Sequence, residues 1–241
     1  MIDTRTQAQL YVADQRGCSQ NRFFRSYHTF NFGSYTAEHR TAFGSLRVLN
    51  DDTLGPGHRL SITVDDDTAV VLVPLVGGLE FNSPVASGFL EAGQIQTLWL
   101  AKGMTYELIN PYETELINFV QLWFSTGSET RLSTSRQSAI DLTMTNQLLP
   151  AFALSPLRDD AESAGRGFIG RFDGRAEGTY ALKNPANGVF VFVLSGAFEV
   201  QNRLLHERDG LSLTNMPDAV VEFEALANNA ILLLMEVPLH G

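Results

Sequence analysis

Three oxygen-bearing side chains, Ser61, Thr63 and Asp65, are spaced two apart and lead into the apolar stretch AVVLVPLV, which closes on Gly77-Gly78. Side chains two apart share one face of a strand. The pattern therefore predicts one wall of a small β-barrel with polar groups turned inward. A lumen that gathers oxygen and nitrogen ligands can hold a divalent ion and leave positions open for substrate. The only histidine close by is His58, which sits in a Pro-Gly turn with no fixed aim. Asp65 offers one oxygen, and the phenol of Tyr106, with an ordinary pKa of about 10, is a poor ligand while neutral. Asp65 as base and Tyr106 as acid form the minimal pair for proton transfer without a metal. Two such groups in a cup are common by chance, so no residue is assigned as catalytic. The Asp65–Asp67 run lacks the spacing of a calcium loop. No Gly-x-Ser-x-Gly, P-loop or dinucleotide fingerprint is present.

The elements that must position these groups are strands. FGSLRVLN (43–50), AVVLVPLVGGLEF, IQTLWLA (95–101), MTYELIN and LINFVQLWF (116–124) are short and rich in β-branched and aromatic residues, and Gly, Pro, Asn or Asp separates them. Pro74 marks its strand as an edge or a bulge. From Ser125 to Asp160 the chain turns polar and loses periodicity, which predicts a connector with one short helix or strand. A second strand set follows: GFIGRFDG, GTYALK, GVFVFVLSGAFEVQ, GLSLTNM, AVVEFEAL and NAILLLMEV. VVLVPLVGGLEF and VFVFVLSGAFEV are alike, each an apolar strand, a Gly turn and a short strand, and each is followed by a Gly-led strand. This long-range repeat predicts two copies of one barrel. Phe190, Phe192 and Val193 read as strand core, so the second copy is expected to be structural.

Bulk properties exclude several classes. Seventeen Lys and Arg against 27 Asp and Glu give a net charge of −10, which argues against a phosphate-binding face and a nucleic-acid partner. Cys18 is the sole cysteine, so an intramolecular disulfide and a Cys-rich zinc site are ruled out. The N-terminal stretch lacks the form of a signal peptide, and the apolar runs 69–79 and 230–235 are too short to span a bilayer. A cytoplasmic protein without a membrane partner is expected.

ADQRG (13–17), SYHTFNFGSY (26–35) and FGSLRVLNDDTLGPG (43–57) follow one another in order. Together they resemble the pirin family, two-domain cupins that include proteins with quercetin 2,3-dioxygenase activity. The LRVLNDD run carries most of the likeness, which extends more loosely through GGLEF, AGQIQTLWLAKGMTYELIN and FVQLWF into the second strand set. The resemblance implies an all-β bicupin of two jelly-roll barrels, an N-terminal cupin over residues 1–130 and a C-terminal cupin over 131–241. It also implies that part of the N-terminal segment packs on the second barrel.

Metal-holding members of the family carry His-x-His and His-x-Glu pairs. Counted onto this chain, these pairs fall on Thr63 and Asp65 and on Tyr106 and Leu108, so all four usual ligands are replaced. The resemblance thus implies a degenerate cup, Thr63, Asp65, Tyr106 and Leu108, with no metal and no cofactor. Glu107, between two inward positions, should point away. His28 is expected to be a buried hydrogen-bonding residue, with His39, His58 and His206 in loops and His240 at the tail. The expected function is a metal-free, pirin-like bicupin without oxygenase activity that binds a small molecule or a protein partner. The alternative is a metal-dependent quercetin 2,3-dioxygenase-type enzyme with an atypical ligand set.

Overall fold

The structure, a computed structural model, describes residues 6–126, 133–156 and 165–239. His240 lies outside the described residues, as do parts of the expected connector. Among the described residues the only helix is a three-residue 3-10 turn, Ala13–Gln15, and no helix is long and apolar enough to cross a membrane.

The strands are, in order, β1 (Gln7–Tyr11), β2 (Gly17–Gln20), β3 (Phe24–His28), β4 (Leu46–Leu54), β5 (Arg59–Thr63), β6 (Thr68–Val76) and β7 (Leu79–Asn82). There follow β8 (Ser87–Leu90), β9 (Gln94–Leu100), β10 (Thr105–Ile109), β11 (Ile117–Ser125), β12 (Thr134–Ala139), β13 (Leu149–Ala153) and β14 (Arg166–Phe172). The last are β15 (Glu177–Ala181), β16 (Gly188–Ser195), β17 (Phe198–Val200), β18 (Arg203–Leu205), β19 (Gly210–Thr214), β20 (Val220–Ala225) and β21 (Ala230–Val237).

They form two compact units. The first spans Arg16–Ala139 and takes in Leu154–Asp159. Its described residues pair a seven-stranded sheet, β12-β9-β6-β11-β4-β3-β2, with a four-stranded sheet, β5-β10-β7-β8. The second combines the described residues of 6–15, 140–153 and 165–239 in sheets β1-β19-β16-β21-β14-β13 and β15-β20-β17-β18. Each is a jelly-roll barrel. The order β9-β6-β11-β4 recurs as β19-β16-β21-β14, and β5-β10-β7-β8 recurs as β15-β20-β17-β18, so the repeated hairpins are equivalent strands of equivalent barrels. The likeness reaches the turns: Gly77 and Gly196 both adopt positive φ, 74° and 79°, which an L side chain rarely tolerates.

The expected edge or bulge at Pro74 resolves to a bulge, and two other expectations change. Pro74 is not on an edge: β6 lies between β9 and β11, and Pro74 sits where the register slips next to Phe119, a bulge that tolerates the missing N–H. Among its described residues the connector holds two strands rather than one element. β12 is polar because it is the edge of the first sheet, where one side faces solvent. The units also cross the boundary expected at residue 130. β12 belongs to the first, and β1 pairs with β19 of the second, from Gln7↔Thr214 to Tyr11↔Gly210, as expected of the N-terminal segment.

Tyr11 anchors β1. It is buried, lies 5.3 Å from the Phe190 ring and faces Gly210, where a Cβ would meet that ring at 2.9 Å. Tyr11→Ala is expected to cost the second barrel about 3 kcal/mol. Amide hydrogen exchange on β19 and β16 measures it, and unchanged protection there would show that β1 adds no stability.

Candidate functional site

The first barrel's lumen is built by residues of one parity on each strand. On β4 these are Val48, Asn50, Asp52 and Leu54. Their partners on β11 are Trp123, Gln121, Phe119 and Ile117, and on β3 Ser26 faces Asp52 while His28 faces Asn50. Apolar members of the set join Leu72, Leu98, Phe81, Tyr106 and Leu108 in one buried cluster.

Of the four cup residues expected from the sequence, the structure turns two the other way. Thr63 lies on the exposed outer face of β5, its Oγ1 2.8 Å from Thr105 Oγ1 on the neighbouring strand. Asp65 lies past the strand end, exposed, with both oxygens accepting from Arg47 NH2 at 2.9 and 3.1 Å. The inward positions of β5 are Leu60 and Ile62, opposite Leu108 and Tyr106. The reason is the two-faced sheet. Polar residues alternating with apolar ones mark the solvent face, so Ser61 and Thr63 belong outside and the register shifts by one residue. Tyr106 and Leu108 are both fully buried.

Tyr106 is the hinge of a buried hydrogen-bond chain. Trp123 Nε1–H donates to the Tyr106 oxygen at 3.0 Å, the Tyr106 hydroxyl donates to Gln121 Oε1 at 2.8 Å, and Gln121 Nε2 donates to Asp52 Oδ2. Burial drives the Tyr106 phenol well above the tyrosine range, opposed by the Trp123 hydrogen bond and reinforced by Asp52. Burial likewise pushes the Asp52 carboxyl up to about 7. Hydrogen bonds from Ser26 and Gln121 act to lower it, and the neighbouring Asp51 charge adds to the rise.

Beside this chain His28 Nδ1–H donates to Asn50 Oδ1 at 2.9 Å, and Nε2 accepts from Ser19 Oγ at 2.8 Å. Burial holds His28 below its ordinary pKa, against the Asn50 hydrogen bond and with the Arg16 charge adding to the fall. His28 is therefore a neutral, fully engaged imidazole. His58 is turned away, with Nδ1 2.7 Å from the Pro56 carbonyl and its ring stacked 3.7 Å from Phe23.

A cavity of about 400 Å³ opens in the same unit. Phe32, Val48, Ile62 and Trp123 give it apolar walls, and Arg47, Asn31, Thr63 and Asp65 give it polar groups. The cavity thus brings Thr63 and Asp65 together, with Trp123 as the link to Tyr106 behind it. Sequence reasoning missed Ser26, Asn50, Asp52, Gln121, Arg47 and Trp123. The available signal was a polar residue at the parity of core positions, as with Gln121 in NFVQLWF and Asn50 and Asp52 in VLNDDTL.

The second barrel has one comparable feature. Glu236 is buried on β21 and accepts from Tyr180 Oη, the Lys183 and Asn184 amides and Asn187 Nδ2, at 2.5 to 3.0 Å. Burial alone would raise its pKa, but these four donors hold it below the usual glutamate value. With its oxygens so engaged, Glu236 clamps the turn after β15.

Two jelly-roll barrels in tandem, one with a polar cup, define a bicupin. Residues 165–237 match the quercetinase C-terminal cupin domain. The chain is 24% identical over 231 residues to a pirin-like protein of Caulobacter vibrioides, covering 92% of this chain and 96% of that one. It is 28% identical over 115 residues to quercetin 2,3-dioxygenase of Escherichia coli, 47% of this chain and 50% of the relative. The fold superposes on the bacterial pirin YhhW of Escherichia coli, solved in complex with nickel(II), with a TM-score of 0.82 at 19% identity, covering 96% and 99% of the two chains. The chain is similar to the pirin-like bicupins over nearly its whole length.

Whether this cup suits a metal is decided by its donors. Among the described residues no three His, Cys, Asp or Glu side chains converge as a metal site. The inward groups of β5 and β10 are three aliphatic side chains and a phenol committed to Gln121; on the neighbouring strands His28 has both ring nitrogens hydrogen-bonded, and Asp52 gives one oxygen to Gln121. This set does not fit a transition-metal ion, which takes imidazole, thiolate or carboxylate donors.

Proposed function

We propose that this pirin-like bicupin is a metal-free small-molecule-binding protein, without ring-opening oxygenase activity, whose ligand occupies the cavity of the first barrel. The observation that carries the reading is the pairing of that cavity with a lumen in which Trp123, Tyr106 and Gln121 are bonded to one another. Recognition is left to the cavity walls, and the apolar floor with a few convergent polar groups is what small-molecule sites present.

Trp123, Phe32, Val48 and Ile62 suit an aromatic body. Arg47 gives only NH2 to Asp65, which leaves its other N–H groups for an anionic or acceptor group. The ligand class is accordingly a small aromatic molecule with a negative or acceptor substituent, and its occupancy serves recognition or regulation. The acidic chain, with net charge −10, supports a partner other than nucleic acid.

The test is a fluorescence titration with 8-anilinonaphthalene-1-sulfonate, an aromatic anion of this class. Val48→Trp fills the cavity and is expected to weaken binding about tenfold or more, the loss of one to a few apolar contacts. Equal binding by Val48→Trp and the unaltered protein would place the probe elsewhere and overturn the reading.

A further inference from the structure

Among the residues that line the cavity of the first barrel, Arg47 is the one cation and Asp65 the one carboxylate. The other polar walls are already committed. Asn31 donates from Nδ2 to the Ala37 carbonyl at 3.2 Å and accepts the Ala37 amide on Oδ1 at 2.8 Å. Thr63 Oγ1 lies 2.8 Å from Thr105 Oγ1. The ion pair is committed only in part. Both carboxylate oxygens rest on a single nitrogen, Nη2, at 2.9 and 3.1 Å, where a guanidinium could offer two nitrogens as a fork. Nε–H and Nη1 keep their hydrogens for another acceptor, and each carboxylate oxygen keeps a further lone pair for another donor.

We propose that the cavity selects an aromatic zwitterion: a single ring whose short arm carries an anionic group, taken by Arg47, and beside it an ammonium, taken by Asp65. The proposal rests on the cavity being the binding site. An anion that reaches Arg47 finds the Asp65 charge already on the same guanidinium, and the two like charges repel. A cation on Asp65 meets Arg47 in the same way. A ligand that brings both charges closes a ring of alternating sign, in which each contact offsets the repulsion met by the other. Asp65 is thus a specificity residue: a purely anionic aromatic molecule is accepted, and one with an adjacent ammonium is preferred.

Size and rigidity agree with this class. The cavity holds about 400 Å³, at the small end of ligand sites, which suits one ring and a short polar arm. Phe32, Val48, Ile62 and Trp123 take the ring, and the charged pair stands beside them. The turn that carries Asp65 is pinned on both sides. Asp67 Oδ1 accepts the Lys102 amide at 2.9 Å, and the Asp66 carbonyl accepts from Thr68 Oγ1 at 2.7 Å. The Asp65–Asp67 run therefore presents its first carboxylate at the cavity from a fixed turn. Asp65 itself is 71% exposed, so it can exchange or share its partner at little cost.

The experiment measures displacement of 8-anilinonaphthalene-1-sulfonate at neutral pH by three molecules that share one ring. Phenylalanine carries both charges, hydrocinnamate lacks the ammonium, and phenethylamine lacks the carboxylate. Phenylalanine is expected to bind about fivefold more tightly than either of the others, the scale of an exposed ion pair. In Asp65→Asn hydrocinnamate should tighten and the preference for phenylalanine over it should vanish. In Arg47→Gln phenylalanine and hydrocinnamate should weaken together, with phenethylamine no weaker than before. Phenylalanine no tighter than its single-charge analogues overturns the proposal, as does a preference that survives Asp65→Asn. Failure of all three to displace a probe whose binding Val48→Trp abolishes also overturns it, and leaves the cavity reading standing. Probe binding indifferent to Val48→Trp sinks the cavity reading, and the proposal with it.

Discussion

Asp52→Asn should make the protein less sensitive to rising pH and more stable above neutrality. In the fold the carboxyl is held at about 7, against an ordinary value of 3.8. Below the unfolded value both states are protonated and the neutral carboxyl's contribution is fully present. As pH rises the unfolded chain releases its proton first, stability falls, and the loss is complete once pH passes the folded value. The difference corresponds to on the order of 4 kcal/mol between acid and alkaline conditions. Asparagine keeps an acceptor for Gln121 Nε2 and carries no charge at any pH. Urea unfolding at about pH 5 and about pH 8 is expected to show the unaltered protein losing stability that Asp52→Asn retains. Equal losses in the two proteins would mean that Asp52 ionises in the fold without cost.

The register of β5 can be tested by building a chelate on it. Ile62 lies directly opposite Tyr106 on the lumen face, whereas Thr63 pairs with Thr105 on the outer face. Directly opposed side chains have Cβ atoms about 5 Å apart, close enough for two imidazoles to share one ion. The double variant Ile62→His with Tyr106→His should therefore bind nickel roughly 10²-fold more tightly than Thr63→His with Tyr106→His, the gain expected of a second ligand held in place. Both variants lose the Tyr106 hydrogen bonds, so the comparison isolates the facing of one residue. Isothermal titration decides it, and equal affinities would mean that the lumen face of β5 has been misassigned.

The fold was largely legible because its signals are redundant. Apolar runs, Gly turns and a repeated hairpin agree over two copies, and jelly-roll pairing follows from them. β12 escaped notice because an edge strand with one side in water has no reason to be apolar, and TSRQSA reads as linker. The cup was legible only in part. Tyr106 and Leu108 sit on the buried parity of β10. The premise that polar groups on a barrel wall face the lumen turns Thr63 and Asp65 inward, whereas alternation in a half-exposed sheet places them outside. The lumen's real polar groups come from strands that look like plain core: His28 in FRSYH, Asn50 and Asp52 in LRVLNDDTL, and Gln121 in INFVQLWF. Their partners are tens of residues away in sequence, Asp52 and Gln121 by 69, and only the pairing of β4 with β11 brings them together.

The proposal of a metal-free binding protein is tested most directly by elemental analysis of the purified protein, run alongside an oxygen-uptake assay with quercetin. Iron, nickel, zinc, copper and manganese are each expected well below one equivalent after dialysis, with no quercetin-dependent oxygen consumption before or after these ions are added back. Near-equimolar metal that survives dialysis, together with quercetin ring opening that disappears on chelation, would contradict the account and make the protein a dioxygenase with an atypical ligand set.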